Sequence, residues 1–174
     1  MIINYDDIRA IRPIADNIND TKRLKTYVDE VEELDVIPVL GARLVKIIRE
    51  YNENGTVPAD TITEEQIKSL MDGCYFTSKE CGGGDVHCNG LKKAAAYLVY
   101  SRFIKNNPTN VTAFGVKLKE TQYSEDVDEG NIIRQSNEAY KIGTAYINQC
   151  VEYLKSIGYI ETKKSKRKKI KSIG

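Results

Sequence analysis

The hydrophobic and polar positions along the chain follow helical spacing almost wherever a period is visible. In residues 20–34, DTKRLKTYVDEVEEL, the side chains Leu24, Tyr27, Val28, Val31 and Leu34 recur at steps of three and four with charges between them, which predicts an amphipathic surface helix. A second stripe, Leu40, Leu44, Ile47, Ile48 and Tyr51, restarts after Pro38, a residue suited to the first turn of a helix, and Asn54-Gly55 ends it. The two helices are expected to meet in a hairpin or corner around Val36 to Pro38.

Thr63-Glu-Glu-Gln66 has the spacing of a capping box and predicts a short helix over residues 64–72. Residues 91–106 predict another helix, on which Leu91, Ala94, Ala95, Leu98 and Arg102 share a face and Ala96, Tyr97, Val99 and Tyr100 leave almost no polar side. A helix apolar nearly all round is either the central core helix or one packed against other subunits as well. Asn107-Pro108 stops it.

Alternation of Val116, Leu118 and Glu120 with Lys117 and Lys119 predicts an extended segment within residues 109–123. The last and longest helix is expected to open at Ser124, with acidic residues in its first turn. Along it, Ile133, Ser136, Tyr140, Gly143, Ile147, Cys150, Leu154 and Ile157 form one ridge; small residues at 136, 143 and 150 allow a close neighbour. A second ridge, Ala139, Tyr146 and Tyr153, predicts a second neighbour.

Between residues 73 and 89 the helical pattern breaks. CYFTSKECGGGDVHC places Cys74, Cys81, Cys88 and the only histidine, His87, within fifteen positions. Zinc sites usually bring ligands as tight pairs such as Cys-x2-Cys, whereas the spacing here is Cys74-x6-Cys81-x5-His87-Cys88. Adjacent residues of an extended chain point to opposite sides, so His87 and Cys88 are poorly placed to share an ion. The preferred reading is a glycine-tipped loop or hairpin that contains thiols, with no metal and no cofactor; a hairpin also allows Cys74 and Cys88 to sit opposite each other on its two arms. The alternative is a zinc site of Cys74, Cys81, His87 and Cys88.

Composition narrows the class. A chain of 174 residues with 41% hydrophobic residues can bury a core without a metal. No apolar run near the N-terminus suits a signal peptide or a membrane span, so a cytoplasmic setting with reduced thiols is expected. No nucleophile elbow, phosphate loop or framed carboxylate pair is present, which argues against an enzyme. Asp126, Asp128 and Glu129 read as partners of a helix dipole.

Charge divides the chain. The last twelve residues, KKSKRKKIKSIG, hold seven basic side chains and no acid, while residues 1–162 hold 19 basic against 25 acidic ones. The cluster of Lys163, Lys164, Lys166, Arg167, Lys168 and Lys169 is suited to nucleic acid or an acidic protein surface through salt-sensitive attraction, or it is a solubilising terminus with no partner.

The order of elements, an acidic helix running into DVIPVLGARLVKII, a Gly-rich loop delivering GLKKAAAYLVYSRFI, then VTAFGVKLKETQYS and a long helix with YINQCVEYL, resembles the head-tail connector (adaptor) proteins of tailed bacteriophages. It is nearest to the connector of crAss-like phages of gut Bacteroidales. The resemblance spans roughly residues 5–157; its most specific parts are Gly90 to Ala94, Thr112 to Lys117 and Ser124.

What the resemblance implies is a mainly α subunit: a helical bundle over residues 1–160 with a small β-hairpin or loop excursion at 73–89, an extended segment at 109–123, and a flexible basic extension at 161–174. It would form a homo-oligomeric ring, commonly of twelve copies, beneath the portal protein. The ring would extend the DNA channel, lie close to packaged DNA, dock tail or other ring proteins, touch no membrane, and reside in the virion after assembly in the host cytoplasm. Tyr97, Tyr100, Tyr146 and Tyr153 are the expected subunit-interface residues, with plain core burial as the alternative for each, and the basic cluster at 163–169 is the expected docking segment for the portal or a neighbour.

Overall fold

The computed structural model describes residues 2–11, 21–57, 62–78, 83–106, 109–112, 115–118 and 129–160. The described chain is mainly α, a helical bundle carrying small antiparallel hairpins. Its helices are α1 (Tyr5–Ile11), α2 (Thr21–Val31), α3 (Ile37–Leu40), α4 (Ala42–Asn54), α5 (Glu64–Asp72), α6 (Leu91–Asn106) and α7 (Glu129–Ser156).

The centre of the bundle is α6. It packs against α1, α2, α5 and, along most of its length, α7. Leu91, Ala94, Ala95, Ala96, Leu98, Val99, Ser101 and Phe103 are all buried, so an all-round apolar helix is here surrounded by its own chain. Small side chains on both helices let α6 and α7 approach closely. Ser101 Oγ donates to the Ser136 carbonyl at 2.9 Å and Ser136 Oγ returns a hydrogen bond to the Ser101 carbonyl at 3.1 Å. The expected close neighbour at Ser136 and Gly143 is therefore α6.

The corner expected at Val36 to Pro38 is absent. Glu32–Val36 form a π-helical turn that joins α2 to α3 without leaving the helix, and the break falls at Gly41, whose φ of 87° is a conformation other residues resist. A π turn holds one residue more than the α-helical step. It therefore moves the buried stripe from Val31 to Val36 and Leu40, and Leu34, which straight periodicity places inside, is 62% exposed.

The same shift turns Glu32 inward, where it is 2% exposed. Its carboxylate accepts hydrogen bonds from the Ile2 backbone N–H and from the Arg49 guanidinium, whose Nε lies 2.9 Å away. Ile2 and Ile3 are buried beside it, and Asn52 Nδ2 donates to the Ile2 carbonyl at 3.3 Å. The chain start is thus clamped to α4.

Other local expectations hold. Thr63 Oγ1 accepts from the Gln66 N–H at 3.2 Å and Gln66 Oε1 accepts from the Thr63 N–H at 2.9 Å, a complete capping box worth about 1 kcal/mol to the start of α5. Gly55, in the left-handed conformation, caps α4. The extended segment is a second hairpin, β3 (Thr109–Thr112) paired with β4 (Gly115–Leu118), with Val111 opposite Val116. The expected opening of the last helix at Ser124, and residues 119–123, lie outside the described residues.

Candidate functional site

The Cys-rich stretch forms the first hairpin, β1 (Cys74–Thr77) paired with β2 (Asp85–Cys88), in the register Cys74↔Cys88, Tyr75↔His87, Phe76↔Val86 and Thr77↔Asp85. The base is held by backbone contact. A Cβ on Gly73 would stand 2.7 Å from the Cys88 carbonyl oxygen, and one on Gly90 2.6 Å from that of Met71; both glycines also have positive φ. Only glycine fits either place.

Alternation gives the hairpin two faces. On the inner face Phe76 meets Tyr153 edge-to-face at 5.6 Å, and Cys88 Sγ lies 3.7 Å from Cys150 Sγ on α7. Gln149 Oε1 accepts from both Asn89 N, at 3.1 Å, and Asn89 Nδ2, at 3.0 Å. On the outer face the Tyr75 and His87 rings stand 4.6 Å apart with Tyr75 79% exposed, and Thr77 Oγ1 donates to Asp85 Oδ1 at 3.2 Å.

The thiols influence each other. The hydrogen bond from Cys150 favours the Cys88 thiolate and lowers its pKa from 9.0 to about 7 against the opposing effect of burial, with the Gly90 backbone assisting. Cys150, as the donor and a buried group, is raised. Cys74 is raised by burial and then by repulsion from Cys88.

A pH dependence follows. A folded-state pKa depressed to about 7 contributes stability that is present above the unfolded value of 9.0 and lost as pH falls through about 7, while the raised Cys150 withdraws stability only above 9.0. Unfolding free energy should therefore rise between pH 7 and 9 in the native chain relative to Cys88→Ser. Urea titrations of both proteins across that window check it; parallel curves would refute a shifted Cys88.

His87 and Cys88 stand on opposite faces, as adjacent strand residues must. Cys81 lies outside the described residues. Among the described residues no group of three or more His, Cys, Asp or Glu side chains is placed to hold a metal.

The tyrosines expected at subunit interfaces have different surroundings. Tyr97 and Tyr146 are half-buried and meet each other edge-to-face at 5.8 Å, with Lys93 Nζ 5.9 Å from the Tyr146 ring. Tyr100, also half-buried, lines a cleft of about 320 Å³ with Arg134, Gln135, Glu138 and Ala139. Tyr153 is a correction: it is only 5% exposed, packs on Phe76, and its hydroxyl faces the Gln66 carbonyl at 3.4 Å. It serves the chain's own core, the alternative to an interface role. The second neighbour of α7 is thus the hairpin together with α5.

Periodicity also misplaced Ile133 and Tyr140. Both belong to the ridge expected to face a neighbouring helix, yet each is 46% exposed, while Ser136, Gly143, Ile147, Cys150 and Leu154 carry the internal seam. Lying seven residues apart, the two form an apolar strip along the edge of that seam, roughly 10 Å long at 1.5 Å per residue. The signal for it was present as a ridge too wide for one partner.

The basic cluster Lys163, Lys164, Lys166, Arg167, Lys168 and Lys169 lies outside the described residues. No described helix is long and apolar enough to cross a membrane. No curated protein and no solved structure matches the chain. A model described as a family of unknown function, DUF6712, matches residues 37–171, from α3 through α7 and into the basic segment. The chain belongs to the DUF6712 family.

Proposed function

We propose that the chain is a structural assembly protein, a head-tail connector subunit that packs with copies of itself into a ring between portal and tail. The observation that supports this reading most directly is the apolar strip of α7, where Ile133 and Tyr140 stay exposed alongside the buried seam of Ser136, Gly143, Ile147 and Leu154. Leu34 in the π turn, Val39 in α3 and Tyr75 on the hairpin are further large apolar side chains left facing outward. Apolar positions on different elements suit a head-to-tail contact, in which one patch of a copy meets a different patch of the next, and such contacts close into rings.

The mechanism in this reading is geometric. Burial of the outward apolar side chains between copies, at about 25 cal/mol per Å², holds the ring, and its lumen passes DNA without reading sequence. The basic segment at 163–169 adds salt-sensitive attraction to a neighbouring subunit, the portal or DNA phosphates. The hairpin, with its exposed Tyr75 and His87 rings, is a docking projection for tail or other ring proteins. The assembly belongs at the portal vertex of a virion.

Light scattering tests the reading. The wild-type chain, alone or with portal protein, should run as a ring, with a dodecamer the expected mass, and Ile133→Asp combined with Tyr140→Asp should lower it to a monomer with unchanged circular dichroism. A wild-type monomer that never joins portal would defeat it. Stoichiometric zinc, lost together with DNA binding on Cys81→Ser, would instead favour a small zinc-dependent nucleic-acid-binding protein.

A further inference from the structure

Cys88 and Cys150 are separated by 62 positions in the chain, yet both are fully buried and their sulfurs touch at 3.7 Å. A disulfide needs sulfurs about 2.0 Å apart, so bond formation requires a modest approach of β2 and α7. The competing partner, Cys74, is directly across the hairpin from Cys88. Directly opposed strand residues have Cβ atoms about 4.5–5.5 Å apart, mostly beyond the 3.5–4.5 Å that a disulfide accepts. The contact from Cys88 that favours a bond runs to the helix.

We propose that Cys88 and Cys150 form an oxidisable dithiol whose co-substrate is a small uncharged hydroperoxide and whose product is a disulfide locking the hairpin onto α7. The Cys88 thiolate attacks one peroxide oxygen; an S–O bond forms, the O–O bond breaks, and the departing hydroxide takes up a proton to become water. The Cys150 sulfur then attacks the Cys88 sulfenic sulfur. The S–S bond forms, the S–O bond breaks, and hydroxide leaves with the Cys150 proton as a second water. Two thiols and one hydrogen peroxide thus become one disulfide and two waters, with two electrons passing from sulfur to oxygen.

Cys88 is the attacking sulfur because the hydrogen bond from Cys150 favours its thiolate, the nucleophilic form. Enclosure selects the oxidant. Both sulfurs are screened by the contacts of the hairpin base, so a peroxide little larger than water reaches them through small local openings, whereas a bulky charged disulfide needs the hairpin to lift away. The proposal stands on the seam between hairpin and helix and is independent of ring assembly.

The test uses the full chain with Cys74→Ser and Cys81→Ser, which leaves Cys88 and Cys150 as the only two of the four cysteines. After hydrogen peroxide treatment, unfolding and alkylation, the expected product carries no alkylated cysteine and has lost the mass of two hydrogens, reversibly on reduction. Its thermal midpoint should rise by roughly 8–15 °C, as expected for closing a long loop. In the wild-type chain, proteolysis should yield a peptide joining Cys88 to Cys150. Two alkylated cysteines, oxygen retained on Cys88 beside a free Cys150, a Cys74–Cys88 cross-link in the wild type, or an unchanged midpoint would each overturn the proposal.

Discussion

Replacing Gly143 with valine should lower the unfolding free energy by about 3 kcal/mol, the upper part of the range for overpacking a closed core. A Cβ at this position would stand 2.7 Å from Leu98 Cγ, 2.8 Å from Leu98 Cδ2 and 3.0 Å from the Ala94 carbonyl oxygen. Leu98 cannot swing aside, because it is buried within the bundle and its Cγ is a branch point, not a free end. The two helices must separate or Leu98 must leave its rotamer. Helix propensity works the other way, since alanine is favoured over glycine by about 1 kcal/mol, so Gly143→Ala should lose less than Gly143→Val. For a chain of this size the valine variant should melt roughly 6–12 °C below wild type. A midpoint unchanged by valine would mean that α6 and α7 are not in this contact.

Arg49→Ala should cost about 3 kcal/mol, and Glu32→Gln about 1 kcal/mol, although Glu32 is the buried partner. Removing the arginine leaves a carboxylate that is 2% exposed with the Ile2 N–H as its remaining partner from this cluster, and uncompensated buried charge is expensive. Removing the charge at 32 is milder. Glutamine still offers an oxygen to Ile2, and the Arg49 side chain, 44% exposed, turns to water. The exposure of Arg49 also keeps its own loss at the lower end of the range for buried pairs. Urea denaturation with equal slopes for all three proteins measures both values. If Glu32→Gln proves the more damaging change, the burial argument fails.

Much of the bundle was legible because its signals are local. Thr63 and Gln66 are three residues apart, Asn54-Gly55 is a helix stop, and Cys74 and Cys88 are brought opposite by a glycine-containing connection between short arms. The small residues at 136, 143 and 150 announced a close neighbour on α7, though not which one. Other features depend on facts that no window of sequence holds. The pairing of Cys88 with Cys150 requires knowing that the hairpin folds back on α7, and Tyr153 turned inward for the same reason. The segment Ile2-Ile3 is too short to show any period. The β3–β4 hairpin was read as one extended run because Ala113-Phe114, between the strands, lacks the Asn-Gly type of turn signal. Leu34 was misplaced because a stripe counted at 3.6 residues per turn does not allow for a wider turn.

That wider turn gives the chain an unusual sensitivity to length. Deletion of the residue 35 codon would keep Glu32 and Leu34 but return the segment to α-helical phase. Leucine would rotate into the bundle, and the glutamate that holds Arg49 and the chain start would rotate toward solvent. An indel here therefore exchanges an internal anchor for an external apolar contact in a single step, whereas any one point substitution alters only one of them.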